Sequence, residues 1–427
     1  MTAGRRVRRT RRAGLVGVVA AAVAATVFTV PAQARDTGGT RGGGGGHEAT
    51  QRAFDTLVAQ GIPGVTGEAR DSKGVWKGTS GVGDLVTGTP RGAHDKYRAG
   101  SITKTFVAVV LLQMEAEGRL DLDDSVEKHL PGLVRGNGND GRKITVRQLL
   151  NHTSGLFNYT SDPDFRARSL LAPGFFHYRY HTYTPRDLVR TALAHRPDFA
   201  PGTHHSYSNT GYVLAGLIIE KAGGNSYEHE IRERIIEPLK LRGTSLPGRD
   251  PRIPAPSARN YATMSDDPAA TRYHEVTENN MSWAWGVGDI ISTTADLNRF
   301  LGTLLRGGLL PARQLAAMKT AVATPGDALY SSYGLGIYTV RNGCGATLWS
   351  HSGGVNGAVS EMVATPDGRH LFSYNLNGVR GMPTANPVDA EFCPPTGAPG
   401  GTAGTAATER AHRERDAAAD RWAALSR

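Results

Sequence analysis

Ser101-Ile102-Thr103-Lys104 stands at the head of an apolar run, Phe106-Val107-Ala108-Val109-Val110-Leu111-Leu112, that continues to Glu117-Gly118. A run with no polar face reads as a helix buried on all sides, so the rest of the chain must be built around it. Residues three apart share a helix face, which makes the Ser101 hydroxyl and the Lys104 amine neighbours. A serine becomes a useful nucleophile when a base takes its proton, and a desolvated lysine is such a base. Free N–H groups and the positive dipole end at a helix start favour an oxyanion beside the serine. S-x-x-K also arises by chance in a chain of 427 residues, so the other residues decide its meaning.

The length allows one large or two medium domains with ample core. A formal net charge of +10 suggests a nucleic-acid partner until its distribution is read. Six arginines (5, 6, 8, 9, 11 and 12) and no acid fall within residues 1–34, so the ten charges less six leave +4 on the remainder. The basic excess is a leader rather than a binding face, and no nucleic-acid partner is expected. That leader has an Arg-rich start, an apolar run from Ala13 to Val30 and the A-x-A site Ala32-Gln33-Ala34, which predicts export and cleavage after Ala34. The competing reading is an uncleaved anchor, since the run is about long enough to span a bilayer. Sec or twin-arginine export both fit.

Residues 35–46 are a Gly-rich linker, residues 47–393 a single folded domain, and residues 394–427 a low-complexity linker followed by a possible charged helix around Trp422 and Leu425. Within the domain, the spacing of Ala53, Phe54, Leu57 and Val58 predicts a helix ending at Gly61. Val65 to Ala69 and Val75 to Val82 read as strands around Asp71-Ser72-Lys73-Gly74. From about 120 to 320 the pattern is helical, with Thr184-Pro185 a good cap and first-turn pair and Gly223-Gly224 a stop for the helix begun near Asn209. Further helices are read at Thr145 to Leu150, Thr294 to Leu305 and Pro311 to Val322. After 330 the period becomes that of strands: Tyr333 to Val340, Ala346 to His351, Ala358 to Thr365 and His370 to Asn375. The expected fold is α/β (α+β): one antiparallel sheet assembled from both chain ends, flanking helices, and an inserted all-helical lobe, with a site in the cleft between them.

Three stretches bear on the serine chemistry. Tyr207-Ser208-Asn209 precedes a helix; a phenol beside an ammonium can share its proton, so Tyr207 could relay protons while Asn209 holds Lys104 and a substrate amide. His351-Ser352-Gly353-Gly354 ends a strand, and its glycines would let a substrate backbone lie along the edge, with the Gly354 N–H joining that of Ser101 as an oxyanion pair. Leu149 to Leu156, containing His152, shows no direct chemistry and reads as the cleft floor. Each stretch alone also fits an ordinary cap, turn or core. His177 and His181 are four apart, but no Glu follows His177 as a zincin requires, so no metal and no other cofactor is expected. Cys344 and Cys393 are the two cysteines; in an exported chain they suggest a disulfide closing a loop of about 50 residues, against the alternative of two separate thiols.

Taken in order, these residues resemble the serine β-lactamase and penicillin-binding superfamily, most closely its class C branch with Y-x-N as second motif. Within that branch Ala99 to Phe106, Lys143 to Leu149, Tyr207 to Thr210 and Tyr333 to Gly336 are similar to secreted D-alanyl-D-alanine carboxypeptidases. The resemblance runs from about Gln51 to Cys393. It implies Ser101 as the acylated nucleophile, Lys104 as its activating partner, Tyr207 as the proton shuttle and Asn209 as the amide-orienting residue. It also implies substrate-facing roles for Trp283, His351, Ser352, Gly353 and Gly354, and a bond between Cys344 and Cys393.

The implied function is a secreted serine carboxypeptidase on D-amino-acid or peptidoglycan stem peptides, acylated by β-lactams and acting as a monomer. The alternatives are an esterase, a D-aminopeptidase or a class C-like β-lactamase on the same chemistry. A non-catalytic wall-binding protein would need no Ser101–Lys104 pair. Two departures from the carboxypeptidase pattern stand out. Tyr338 takes the place of an arginine that helps hold the substrate's terminal carboxylate, with Arg341 three residues on, and Gly354 takes the place of a threonine.

Overall fold

The computed structural model describes residues 46–267, 269–327, 329–379 and 384–394. Apart from Gly46 and Pro394, the leader, linker and tail expected at 1–34, 35–46 and 394–427 lie outside the described residues. Eight strands form the main sheet: β1 (Gly64–Asp71), β2 (Gly74–Gly81), β3 (Val322–Ala323), β4 (Ser332–Tyr333), β5 (Tyr338–Arg341), β6 (Thr347–Val355), β7 (Ala358–Ala364) and β8 (Leu371–Leu376). Their order is β2-β1-β8-β7-β6-β5-β4-β3, antiparallel throughout, so the two chain ends do build one sheet.

Both faces of this sheet are covered, which the alternation of side chains makes possible. Val359 and Val363 of β7 point to the layer formed by helix α1 (Glu48–Ala59), where Phe54 and Leu57 meet Val65, Phe372 and Tyr374. Met362 and Ala364 point the other way, into the larger core that holds the Ser101 helix, α2 (Thr103–Ala116). Every residue of α2 from Thr103 to Leu112 is buried. Each of its Val, Leu and Phe side chains contributes about 1.5–3 kcal/mol through burial. Phe106 stacks on Phe300 at 3.8 Å, tying α2 to the later helix Thr294–Leu305.

That later helix corrects one expectation. It packs on the sheet rather than in the inserted lobe, and Asn298 clamps it there by donating to Glu68 O and accepting from Ser373 Oγ, both at 2.8 Å. The lobe is also not all-helical: Arg135–Gly136 pairs with Asn139–Asp140, Tyr261–Ala262 with His274–Glu275, and Tyr97–Arg98 with Ile291–Ser292. The strand expected from Tyr333 to Val340 is two strands. Gly334 N–H donates to Ile337 O, and Gly336 turns the chain at φ +70°, pressed so close to α2 that a Cβ would sit 2.6 Å from that of Ala108. The helix expected over Pro311 to Val322 stops at Lys319, and Val322–Ala323 joins the sheet edge instead. Cys344 and Cys393 are bonded, as expected, with Cα atoms 5.7 Å apart.

Candidate active site

Ser101 lies in a single tight turn, Gly100–Ile102, that leads into α2. Gly100 has φ +58°, and a Cβ there would sit 2.8 Å from Gly354 N. Gly353 on β6 is tighter still, because its Cβ would lie 1.9 Å from Ala99 O and 2.8 Å from Ser101 N. The glycine pair was expected to make room for a substrate backbone; at Gly353 the room is taken by the serine's own turn. The result brings the Ser101 and Gly354 amides together.

The strand edge beside them is open. β5 begins at Tyr338 opposite Ser350, so among the described residues positions 351–355 of β6 pair only with β7. Ser352 N–H points to the β5 side, where Tyr338 Oη accepts it at 2.7 Å, and Tyr338 donates back to Ser352 Oγ at 2.7 Å. Alternation along a strand then turns the Gly354 N–H to the same side, beyond the end of β5. An amide aimed there next to a second one suits a developing oxyanion.

Lys104 Nζ contacts Ser101 Oγ at 3.0 Å and donates to Val287 O at 2.8 Å. It lies over the rings of Tyr207 and Tyr212, 4.9 and 5.6 Å from their centroids. Burial drives its pKa well below the usual lysine range, and nearby Asp289 pulls it back up in part. A neutral amine can accept the serine proton across the same 3.0 Å contact.

Tyr207 hydrogen-bonds Ser101, yet burial holds its phenol well above the ordinary range. The Tyr207 phenol thus holds its proton more tightly than a free phenol does, which keeps it in the form of a proton donor. Asn209 was expected to hold Lys104. Its Nδ2 donates to Thr160 Oγ1 at 3.0 Å instead, and its buried Oδ1 has no hydrogen-bond partner among the described residues.

His351 departs most from its expected role. Nδ1 sits 2.6 Å from Ser352 O, a pure acceptor, so Nδ1 carries the proton and Nε2 accepts from Tyr333 Oη at 2.8 Å. Burial, with Lys104 adding to it, pushes the ring's pKa down to about 3. Both nitrogens are committed inside the protein, and His351 braces β6 against β4 rather than facing a substrate. Trp283 accepts Tyr159 Oη on its carbonyl at 2.6 Å, while its buried indole N–H is unpartnered among the described residues.

A family model described as Beta-lactamase matches residues 50–425. The chain belongs to the beta-lactamase family. Members of that family are serine hydrolases, in keeping with a site built around Ser101. Penicillin-binding protein 4* of Bacillus subtilis is 28% identical over 309 residues, covering 70% of this chain and 64% of that protein; this chain thus spans just under two thirds of that relative's length. Penicillin-binding protein 4 of Amycolatopsis lactamdurans is 26% identical over 345 residues, 78% of this chain and 85% of the relative. Among solved structures, a D-stereospecific amidohydrolase from Streptomyces sp. is 47% identical with a TM-score of 0.76, covering 82% of this chain and 99% of that one. A D-amino acid amidase from Ochrobactrum anthropi SV3 is 28% identical with a TM-score of 0.68, covering 78% of this chain and 91% of that one.

Several members of the site escaped the sequence. Val287 holds Lys104 through its carbonyl, which carries no side-chain signal. Tyr333 was visible as part of a strand and of the Tyr333–Gly336 segment but without a role at the site, and His152 as part of a cleft floor. Asp289 had one available signal: it is the lone acid in Val287-Gly288-Asp289-Ile290-Ile291.

Proposed function

We propose that this chain is an exported serine amidohydrolase that cleaves amide bonds next to D-amino acids through an acyl-Ser101 intermediate. The 3.0 Å contact between Ser101 Oγ and a desolvated Lys104 amine, at the open edge of β6, is the observation that carries it. Ser101 Oγ attacks the amide carbonyl carbon and its proton passes to Lys104 Nζ. The Ser101 and Gly354 N–H groups hold the oxyanion. The C–N bond breaks as Tyr207 gives its phenolic proton to the departing amine and is recharged from Lys104. Water then attacks the ester, Lys104 or Tyr207 takes its proton, and Ser101 leaves as the free hydroxyl with a carboxylic acid product. In this reading Asn209 Oδ1 and Trp283 Nε1, buried and lacking partners among the described residues, are the polar atoms offered to the substrate's backbone.

The similarity to a D-stereospecific amidohydrolase and to a D-amino acid amidase supports the D-amino-acid class. Tyr338 favours an amide or peptide over a substrate read by its terminal carboxylate, since its hydroxyl is spent on Ser352. Arg341 does not compensate: it pairs with Thr347, six residues from Gly353 along β6, or about 20 Å. A second reading, a D-alanyl-D-alanine carboxypeptidase on peptidoglycan stem peptides with β-lactams as acylating ligands, is favoured by the penicillin-binding relatives. The Arg-rich leader supports export under either reading, and a monomer suffices because the site is built within one chain.

Labelling the wild-type protein and Ser101→Ala with a fluorescent penicillin, alongside turnover of a D-phenylalanine amide, a D-Ala-D-Ala peptide and nitrocefin, tests both readings. Faster turnover of the amide supports the first and of the D-Ala-D-Ala peptide the second. Hydrolysis retained by Ser101→Ala would overturn the mechanism.

A further inference from the structure

One residue outside the serine machinery grips the chain on both sides of Tyr207. Ser206 N–H donates to His152 O at 3.0 Å, and Ser208 N–H donates to His152 Nδ1 at 3.2 Å. Between those two bonds the imidazole lies against the Tyr207 ring, with centroids 4.2 Å apart and planes tilted by 36°. Tyr333 closes the ring's edge at 4.7 Å and Tyr212 lies at 5.3 Å. Because Nδ1 accepts a backbone N–H, the ring proton belongs on Nε2.

This arrangement is not what a core residue needs. His152 has φ +59°, in the left-handed region that L side chains rarely adopt. Its Nε2 is buried and has no hydrogen-bond partner among the described residues. An apolar side chain would fill the space without that unmet donor, but it would leave the Ser208 N–H without its acceptor. Burial, with His205 and Lys104 adding to it, keeps the ring uncharged and so keeps Nδ1 an acceptor. Strain and an orphaned polar group kept at one residue beside a reacting group are marks of a functional constraint.

We propose that His152 is a positioning residue for the reaction at Ser101: its carbonyl and its Nδ1 clamp residues 206–208, and that clamp fixes the angle at which the Tyr207 phenol meets the Ser101 hydroxyl. The inference rests on the acyl-serine reading above.

The test compares His152→Asn and His152→Gln in the full chain, with Ser101→Ala as the control for that reading. Asn tolerates the left-handed backbone and puts Oδ1 where Nδ1 was, so it should keep kcat within about threefold of wild type. Gln moves its acceptor one methylene away and should lose kcat about tenfold or more, with KM changed less than about twofold. In a Tyr207→Phe background the Gln substitution should cost less than about twofold, because nothing remains to be positioned. An undiminished loss in that background, or equal kcat in all three His152 forms while Ser101→Ala is inactive, would overturn the proposal. Activity in Ser101→Ala would instead overturn the acyl-serine reading. If His152→Gln fails to fold, His152→Ser, which is too short to reach the Ser208 N–H, takes its place under the same criteria.

Discussion

Tyr338 and Ser352 are joined twice, the phenol donating to Ser352 Oγ and accepting Ser352 N–H, both at 2.7 Å. The pair lies just past the last rung between β5 and β6, Tyr338 opposite Ser350, and marks where the open edge begins. Removing the hydroxyl with Tyr338→Phe leaves a buried N–H unpaired, which costs about 1–3 kcal/mol and should appear as a lower urea midpoint. Tyr338→Arg should raise kcat/KM for a D-Ala-D-Ala peptide relative to its C-terminal amide by about tenfold. Equal gains on both substrates would show that position 338 does not read the substrate's end.

Gly353 carries a sharper constraint. A Cβ there meets Ala99 O at 1.9 Å, so Gly353→Ala must drive β6 away from the serine's turn. Overpacking of this kind costs about 1–3 kcal/mol. A shift of about 1 Å between the Ser101 and Gly354 amides should lower kcat about a hundredfold. Steady-state kinetics on folded Gly353→Ala would decide it, and near-native kcat would contradict the paired-amide site.

Asp289 supplies a pH prediction. It is buried, accepts from Tyr227 Oη at 2.9 Å, and burial pushes its carboxyl up to about 7. Glu228 raises it further, and Tyr159, Arg98 and Lys104 also feel its charge. When ionised, Asp289 raises the proton affinity of Lys104, which must be neutral to act as base. Asp289→Asn removes that charge and lowers the Lys104 pKa, so the acid limb of the kcat/KM profile should move to lower pH. A limb that stays put or moves upward would rule the coupling out.

His351 gives the complementary prediction for stability. Its pKa is depressed from 6.5 to about 3 in the folded protein, so the unfolded chain binds the extra proton between those values. The contribution is complete above pH 6.5 and is lost as pH falls toward 3, at about 1.4 kcal/mol per unit. His152, depressed in the same direction, steepens the fall. Urea midpoints measured from pH 7 to pH 4.5 should decline, and His351→Gln should decline less steeply whatever its absolute stability. Parallel slopes would mean that His351 is not titrating this way.

Elements with strong local punctuation are legible in the sequence. Thr145 and Thr184 each form a capping box, Pro185 opens its helix, and Gly224 ends the Asn209 helix at φ +80°. Elements shaped by distant packing are not: Tyr333 to Val340 alternates like one strand, but α2 presses on Gly336 and the chain turns there. The same division holds at the site. Helical spacing places Lys104 on Ser101, whereas the carbonyl that holds Lys104 comes from Val287, 183 residues along the chain. Sequence order marked His351 as substrate-facing, but only the fold shows Tyr333 on β4 and the adjacent Ser352 carbonyl taking both ring nitrogens.

The burial of α2 has a consequence for motion. Ser101 and Lys104 sit on the first turns of a helix whose residues Thr103 to Leu112 are all inside the core. Such a segment cannot open by fraying, so its amides exchange with solvent only when the whole domain unfolds. Adaptation to substrates of different size must then come from the surrounding loops, while the nucleophile itself stays as still as the core that surrounds it.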